Sequence, residues 1–121
     1  ALDHLDALRA AAFAGDSPAL LAEVYAPGCP ALAQDRAALA ALARSRRTAV
    51  GVRHTLGAVT ALASAPDQVL LEVREALAAY QVRSATGDVL ERHPPGPSQR
   101  HRVVLRRVAG SWRVESVRSA A

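Results

Sequence analysis

Lysine, methionine, isoleucine and asparagine are absent from the 121 residues. Codons for these four are rich in A and T, whereas the abundant Ala, Arg, Gly and Pro have GC-rich codons. The composition points to a GC-rich bacterial gene, and the use of Arg without Lys reflects mutation bias more than a need for guanidinium chemistry. Cysteine occurs once, as Cys29 between Gly28 and Pro30, so an internal disulfide is excluded and the redox compartment stays open. It reads as a small residue in a turn, because a reactive thiol needs a helix N-terminus or a base beside it. Aromatic residues are scarce: Phe13, Tyr25, Tyr80 and Trp112 are all there are. No apolar run approaches the roughly 20 residues of a membrane-spanning helix, and no signal-peptide pattern opens the chain.

What is present suits one globular domain covering 1–121. A chain of 12.7 kDa buries roughly two-thirds of its unfolded surface, enough for one core. Half of the residues are apolar, but 28 of those are Ala, which leaves 15 Leu and 13 Val to build that core. Disordered, collagen-like and disulfide-scaffold classes are excluded by composition. The chain begins at Ala1 without Met, which suggests an excised or processed piece of something longer.

The first 47 residues carry helical spacing. Leu2, Leu5, Leu8 and Ala12 form a stripe, with Asp3, Asp6 and Arg9 expected on the other side. Gly15 stops this helix, and Asp16-Ser17-Pro18 supplies a capping side chain and a first-turn proline for the next, carrying Leu20, Leu21, Val24 and Tyr25. Pro27-Gly28-Cys29-Pro30 breaks it, and Asp35 is expected to cap a third helix with Leu39, Leu42 and Arg46.

After Arg47 the period changes to two. Val50, Val52, His54 and Leu56 alternate, and the phase then slips at Gly57 to Val59, Ala61 and Ala63. One long bent strand with a bulge near Gly57 explains the slip. Gln68 to Val82 fits a strand or a helix by period alone. Its setting between strand-like segments favours a strand, distorted near Ala78. Ala85-Thr86-Gly87-Asp88 is a hairpin turn, and His93-Pro94-Pro95-Gly96-Pro97 is a loop. Two closing strands, Arg100 to Val108 and Trp112 to Arg118, flank a tight turn at Ala109-Gly110-Ser111.

Helices first and a meander of bent strands afterwards make an α+β domain. The segments RAAAFAGDSPALLAEVY (Arg9 to Tyr25), the bent strand around Val52 and VVLRRVAGSWRVESV (Val103 to Val117) resemble the NTF2-like (SnoaL-like) superfamily, in particular domains of GC-rich Gram-positive bacteria. The resemblance covers nearly the whole chain. It implies N-terminal helices packed in a strongly curved antiparallel sheet, a cystatin-type cone with an interior pocket. It also implies an extracytoplasmic or cell-envelope location, with a cytoplasmic one as the alternative, and attachment through a segment before Ala1. A homodimer formed through the sheet follows from the same resemblance. Enzymes of this superfamily place Asp, His or Tyr inside the cone for proton transfer.

By residue type, the pocket candidates are Tyr25, His54, Tyr80, His101 and Trp112. No Asp general base with a Tyr partner maps onto a superfamily motif, so no catalytic residue is assigned and the interior is expected to be apolar, without an acid–base pair. Glu72 and Glu75, on the ambiguous middle segment, are the acids that could change this by facing inward. His4, His54, His93 and His101 lack the short spacings of zinc motifs, so no metal or other cofactor is expected.

Charge is uneven, with six Arg against Glu115 alone in residues 99–121. Arg100, Arg102 and Arg106 share parity and are expected on the outer sheet face, facing solvent or an anionic membrane or wall polymer. Nucleic acid is disfavoured, since only Trp112 accompanies them for stacking. These features together describe a non-enzymatic module of a larger bacterial protein that binds a small apolar ligand, an envelope component or a protein. A small hydro-lyase or isomerase using the pocket, and a dimerisation module, are the alternatives.

Overall fold

The computed structural model describes residues 1–120. Three helices, α1 (Leu2–Phe13), α2 (Leu21–Val24) and α3 (Pro30–Arg44), precede seven strands. These are β1 (Thr48–Val50), β2 (His54–Ala65), β3 (Gln68–Leu77), β4 (Tyr80–Arg83), β5 (Val89–His93), β6 (Gln99–Val108) and β7 (Ser111–Ser119). The change from helix to strand falls where the hydrophobic period changes. The cap before Pro18 is Ser17, whose Oγ accepts from the Ala19 amide at 3.2 Å, rather than Asp16. α3 begins at Pro30, so Asp35 lies within it and is buried instead of capping it.

The strands form two antiparallel sheets, ordered β2-β3-β6-β7 and β1-β4-β5. The expected single bent strand is divided at Gly51, whose φ of +89° turns the backbone so that β1 joins one sheet and β2 the other. The bulge is where the phase slip placed it: the β2–β3 register shifts between Leu56 and Val59, bringing Val59 opposite Val73. β3 is a strand, and the chain breaks after Leu77, where the Ala78 amide donates to the Arg53 carbonyl at 2.7 Å.

Alternation turns Val73, Val103, Leu105 and Val114 of the larger sheet inward, against Leu5, Leu21, Val24, Tyr25 and Leu32 of the helices. Burying each such side chain contributes about 1.5–3 kcal/mol. The end of α2 is fastened to β7, where the Ala26 amide donates to the Val114 carbonyl at 2.8 Å. A smaller cluster of Phe13, Ala49 and Val52 joins α1 to the second sheet. On the opposite face Arg100 and Arg102 are exposed, while Arg106 is half-buried with its Nε 3.0 Å from Glu115. Among the described residues, no helix is long and apolar enough to cross a membrane.

Candidate functional site

A cavity of about 550 Å³ lies between the helices and the inner face of the larger sheet. Leu2, Leu5, Val24, Leu56, Val103 and Val114 supply its apolar wall. Arg100, Arg102 and Arg106 do not line it. Its polar groups come from α1, the end of α2, α3 and all four strands of the larger sheet, and those that contact one another fall into three sets.

In the first set Asp6 of α1 holds His54 of β2. Oδ1 of Asp6 is 2.7 Å from His54 Nδ1, and its Oδ2 accepts from the His54 backbone amide at 2.9 Å. Asp6 is buried, at 9% exposure. Burial pushes its carboxyl upward, but the side-chain hydrogen bond from His54, the backbone bond and the imidazole charge outweigh this, and its pKa is lowered. The hydrogen bond to Asp6 raises the His54 pKa; burial opposes this, and the negative charge of Glu75 adds to the rise.

The second set joins β3 to β6. Glu75 Oε1 lies 2.9 Å from His101 Nδ1, an ion-pair contact whose angle falls short of a hydrogen bond. Both side chains are largely buried and both line the cavity. Glu75 on β3 lies opposite Leu56 on β2, and His101 on β6 lies opposite Val73 on β3, so all share the inward face.

The third set is centred on Asp35 of α3. Arg9 donates to it twice, from Nε at 2.7 Å and from Nη2 at 3.2 Å, and the Tyr25 hydroxyl donates to it at 2.6 Å. Burial, and then the bond to Asp35, push the Tyr25 phenol well above its ordinary pKa. Burial lowers the Arg9 pKa, but the hydrogen bond and charge of Asp35 more than restore it, so it stands raised. The Arg9 guanidinium also lies over the Phe13 ring, 4.8 Å from its centroid.

Of the five residues singled out from the sequence, Tyr25, His54 and His101 line this cavity. Tyr80 does not: it stacks on His93 with ring centroids 4.4 Å apart, beside a shallow cleft on the second sheet. Trp112 is also outside, half-buried with the Arg107 guanidinium 4.9 Å from its ring centre. The expectation of an apolar interior without an acid–base pair is wrong. It fails on Glu75, which faces inward beside His101, and on Asp6 and Arg9, expected on the outer side of the first helix. Spacing of four residues sets Asp6 over Leu2 and Arg9 over Leu5, on the apolar stripe itself, and this signal was available in the sequence.

Chemically, a carboxylate can only accept, so Asp6 fixes the proton of His54 on Nδ1 and leaves Nε2 to face a ligand. Glu75 stands 2.9 Å from the same atom of His101 and would fix its proton likewise once the two groups come into line. Tyr25 differs, because its hydroxyl proton is already committed to Asp35. Among the described residues no group of three or more His, Cys, Asp or Glu could hold a metal ion.

No protein-family model matches the chain, and no curated protein matches it either. Solved structures do. The intermembrane-space region of the chloroplast protein ARC6 aligns with a TM-score of 0.58 at 16% identity, covering 96% of this chain and 89% of that one. A Caulobacter vibrioides protein described as having a cystatin-like fold aligns with a TM-score of 0.53 at 18% identity, covering 97% and 84%. A Catenulispora acidiphila protein solved in complex with S-DNPA aligns with a TM-score of 0.52 at 18% identity, covering 94% and 85%. Helices enclosed by a bulged antiparallel sheet, matched over 84–89% of those solved chains, give this chain the cystatin-like α+β cone fold.

Proposed function

We propose that the cone takes up a small, largely apolar organic molecule bearing one polar group, and that His54 and His101 exchange a proton with it. The observation that carries this is the pair of imidazoles on one cavity wall, each with a largely buried carboxylate beside Nδ1, hydrogen-bonded at 2.7 Å for His54 and in ion-pair contact at 2.9 Å for His101. Such a carboxylate fixes the tautomer and ring orientation, which directs Nε2 at the ligand as base or, when protonated, as acid. The volume of about 550 Å³ suits a molecule of ordinary metabolite size. That the Catenulispora acidiphila protein was solved in complex with S-DNPA supports a ligand-binding reading. The reaction class that fits is a proton shift or the elimination of water, which needs acid–base groups and no cofactor.

Binding without turnover is the second reading. It is favoured by the Tyr25–Asp35 bond, which removes the hydroxyl best suited to stabilise a developing oxyanion. One experiment separates the two. A panel of small ketones, alcohols and carboxylic acids is titrated while backbone amide resonances are followed, and binders are incubated with the protein in D2O. Proton transfer predicts shifts at Leu56, Val103 and Val114 together with deuterium entering the probe. It also predicts that His54→Gln and His101→Gln lower that exchange about 100-fold. Shifts without exchange establish binding alone. No shift at the cavity residues with any probe overturns both.

A further inference from the structure

The outer face of the larger sheet is open, and its charges are arranged in a way that the fold itself disfavours. In the antiparallel register Arg74 stands directly opposite Arg100, and Arg102 directly opposite Arg118. All four are exposed. Like charges in directly opposed positions destabilise a sheet. The acid beside them is Glu72, opposite Arg102, with its Oε1 3.9 Å from the Arg102 Nε. Among the described residues, Arg74, Arg100 and Arg118 have no ion-pair partner. Four guanidinium groups therefore share one patch with the Glu72 carboxylate, which pairs with Arg102 and leaves the other three without an acid.

We infer that this patch docks the domain on an anionic, phosphate-bearing lipid bilayer. Neighbouring strands are about 4.8 Å apart and alternate residues about 7 Å apart, so the groups form a two-dimensional array rather than a line. Each guanidinium can fork onto a phosphate oxygen pair. A nucleic acid fits less well. The patch has no aromatic side chain to stack a base, and it is a strand surface rather than a helix that enters a groove. A second copy of this chain fits worse still, because a symmetric pairing sets these arginines against themselves. Arg74, Arg100 and Arg102 do not line the cavity, whereas Arg118 at the end of β7 also reaches its rim, so the patch adjoins the cavity at that one residue.

The test is co-sedimentation of the protein with phosphatidylcholine vesicles and with vesicles containing about 30% phosphatidylglycerol, at low and at physiological salt. A variant with Arg74, Arg100, Arg102 and Arg118 each changed to Gln is compared with one in which Arg36, Arg44, Arg46 and Arg92, exposed elsewhere, are changed to Gln. The two variants have the same net charge, and circular dichroism checks that both fold. Expected is binding to the anionic vesicles alone, weakened by salt, lost at least tenfold in the sheet variant and retained in the other. Equal loss in both variants reduces the effect to net charge and overturns the proposal. So does an absence of vesicle binding at low salt, or tighter binding to single- or double-stranded DNA than to the vesicles.

Discussion

Asp6 and His54 are 48 residues apart in sequence, yet Asp6 Oδ1 lies 2.7 Å from His54 Nδ1. This contact joins the first helix to the first strand of the larger sheet, and it makes stability depend on pH in two directions. The Asp6 pKa is lowered from 3.8, so its contribution is complete above 3.8 and is lost as pH falls through the folded value. The His54 pKa is raised from 6.5, so its contribution is complete below 6.5 and is lost as pH rises through the folded value. The pair is therefore worth most between pH 3.8 and 6.5. Urea unfolding measured from pH 3 to 9 should show His54→Gln losing the alkaline decline that the parent chain shows. Identical slopes for both proteins above pH 6.5 would remove the pair from this role.

Asp35 holds two buried donors, and removing its charge leaves Arg9 uncompensated. Arg9 and Asp35 side chains are 20% and 12% exposed, so solvent screens them only in part. Asp35→Asn should destabilise by about 3 kcal/mol. Tyr25→Phe, which removes one hydrogen bond to a charged group, should cost about 1.5 kcal/mol. Chemical denaturation of the two variants and their double mutant measures both. Additivity of the two substitutions would contradict a shared network.

Gly51 separates the two sheets at φ +89°, and a Cβ there would come within 3.4 Å of the Ala79 carbonyl. Gly51→Ala should lose roughly 1–2 kcal/mol from the positive φ alone. A thermal scan checks this, and an unchanged midpoint would show that the chain bends elsewhere.

Glu75 acts on a ligand through the two imidazoles, touching His101 and raising the pKa of His54 by its charge, so it is a positioning residue. Glu75→Gln should reduce deuterium exchange of a bound probe and shift its pH profile toward lower pH, because His54 loses a negative neighbour that raises its pKa. The same probe should still bind, as the apolar wall is untouched. A fall in exchange with an unmoved pH profile would make Glu75 merely structural.

The sequence by itself determined the order and kind of the elements, because these follow from local period and from turn chemistry. Alternation after Arg47 gave the strands, the slip at Gly57 gave the bulge, and Gly110 gave the closing hairpin. It also determined that Arg100, Arg102 and Arg106 share a face, since parity along a strand is fixed by the pleat. Tertiary structure alone decided what the interior holds. Asp6 meets His54, Arg9 meets Asp35 and Glu75 meets His101 across 48, 26 and 26 residues. The first two depend on how α1 and α3 rotate against each other and the sheet, and the third on the β3–β6 register, which sets His101 opposite Val73 and diagonal to Glu75; no local pattern encodes either. Burial then decided the chemistry. A carboxylate on an apolar helix face is unfavourable without a partner, so the partner that packing supplies determines whether it becomes a strut, as Asp35 does, or a support for an imidazole, as Asp6 does.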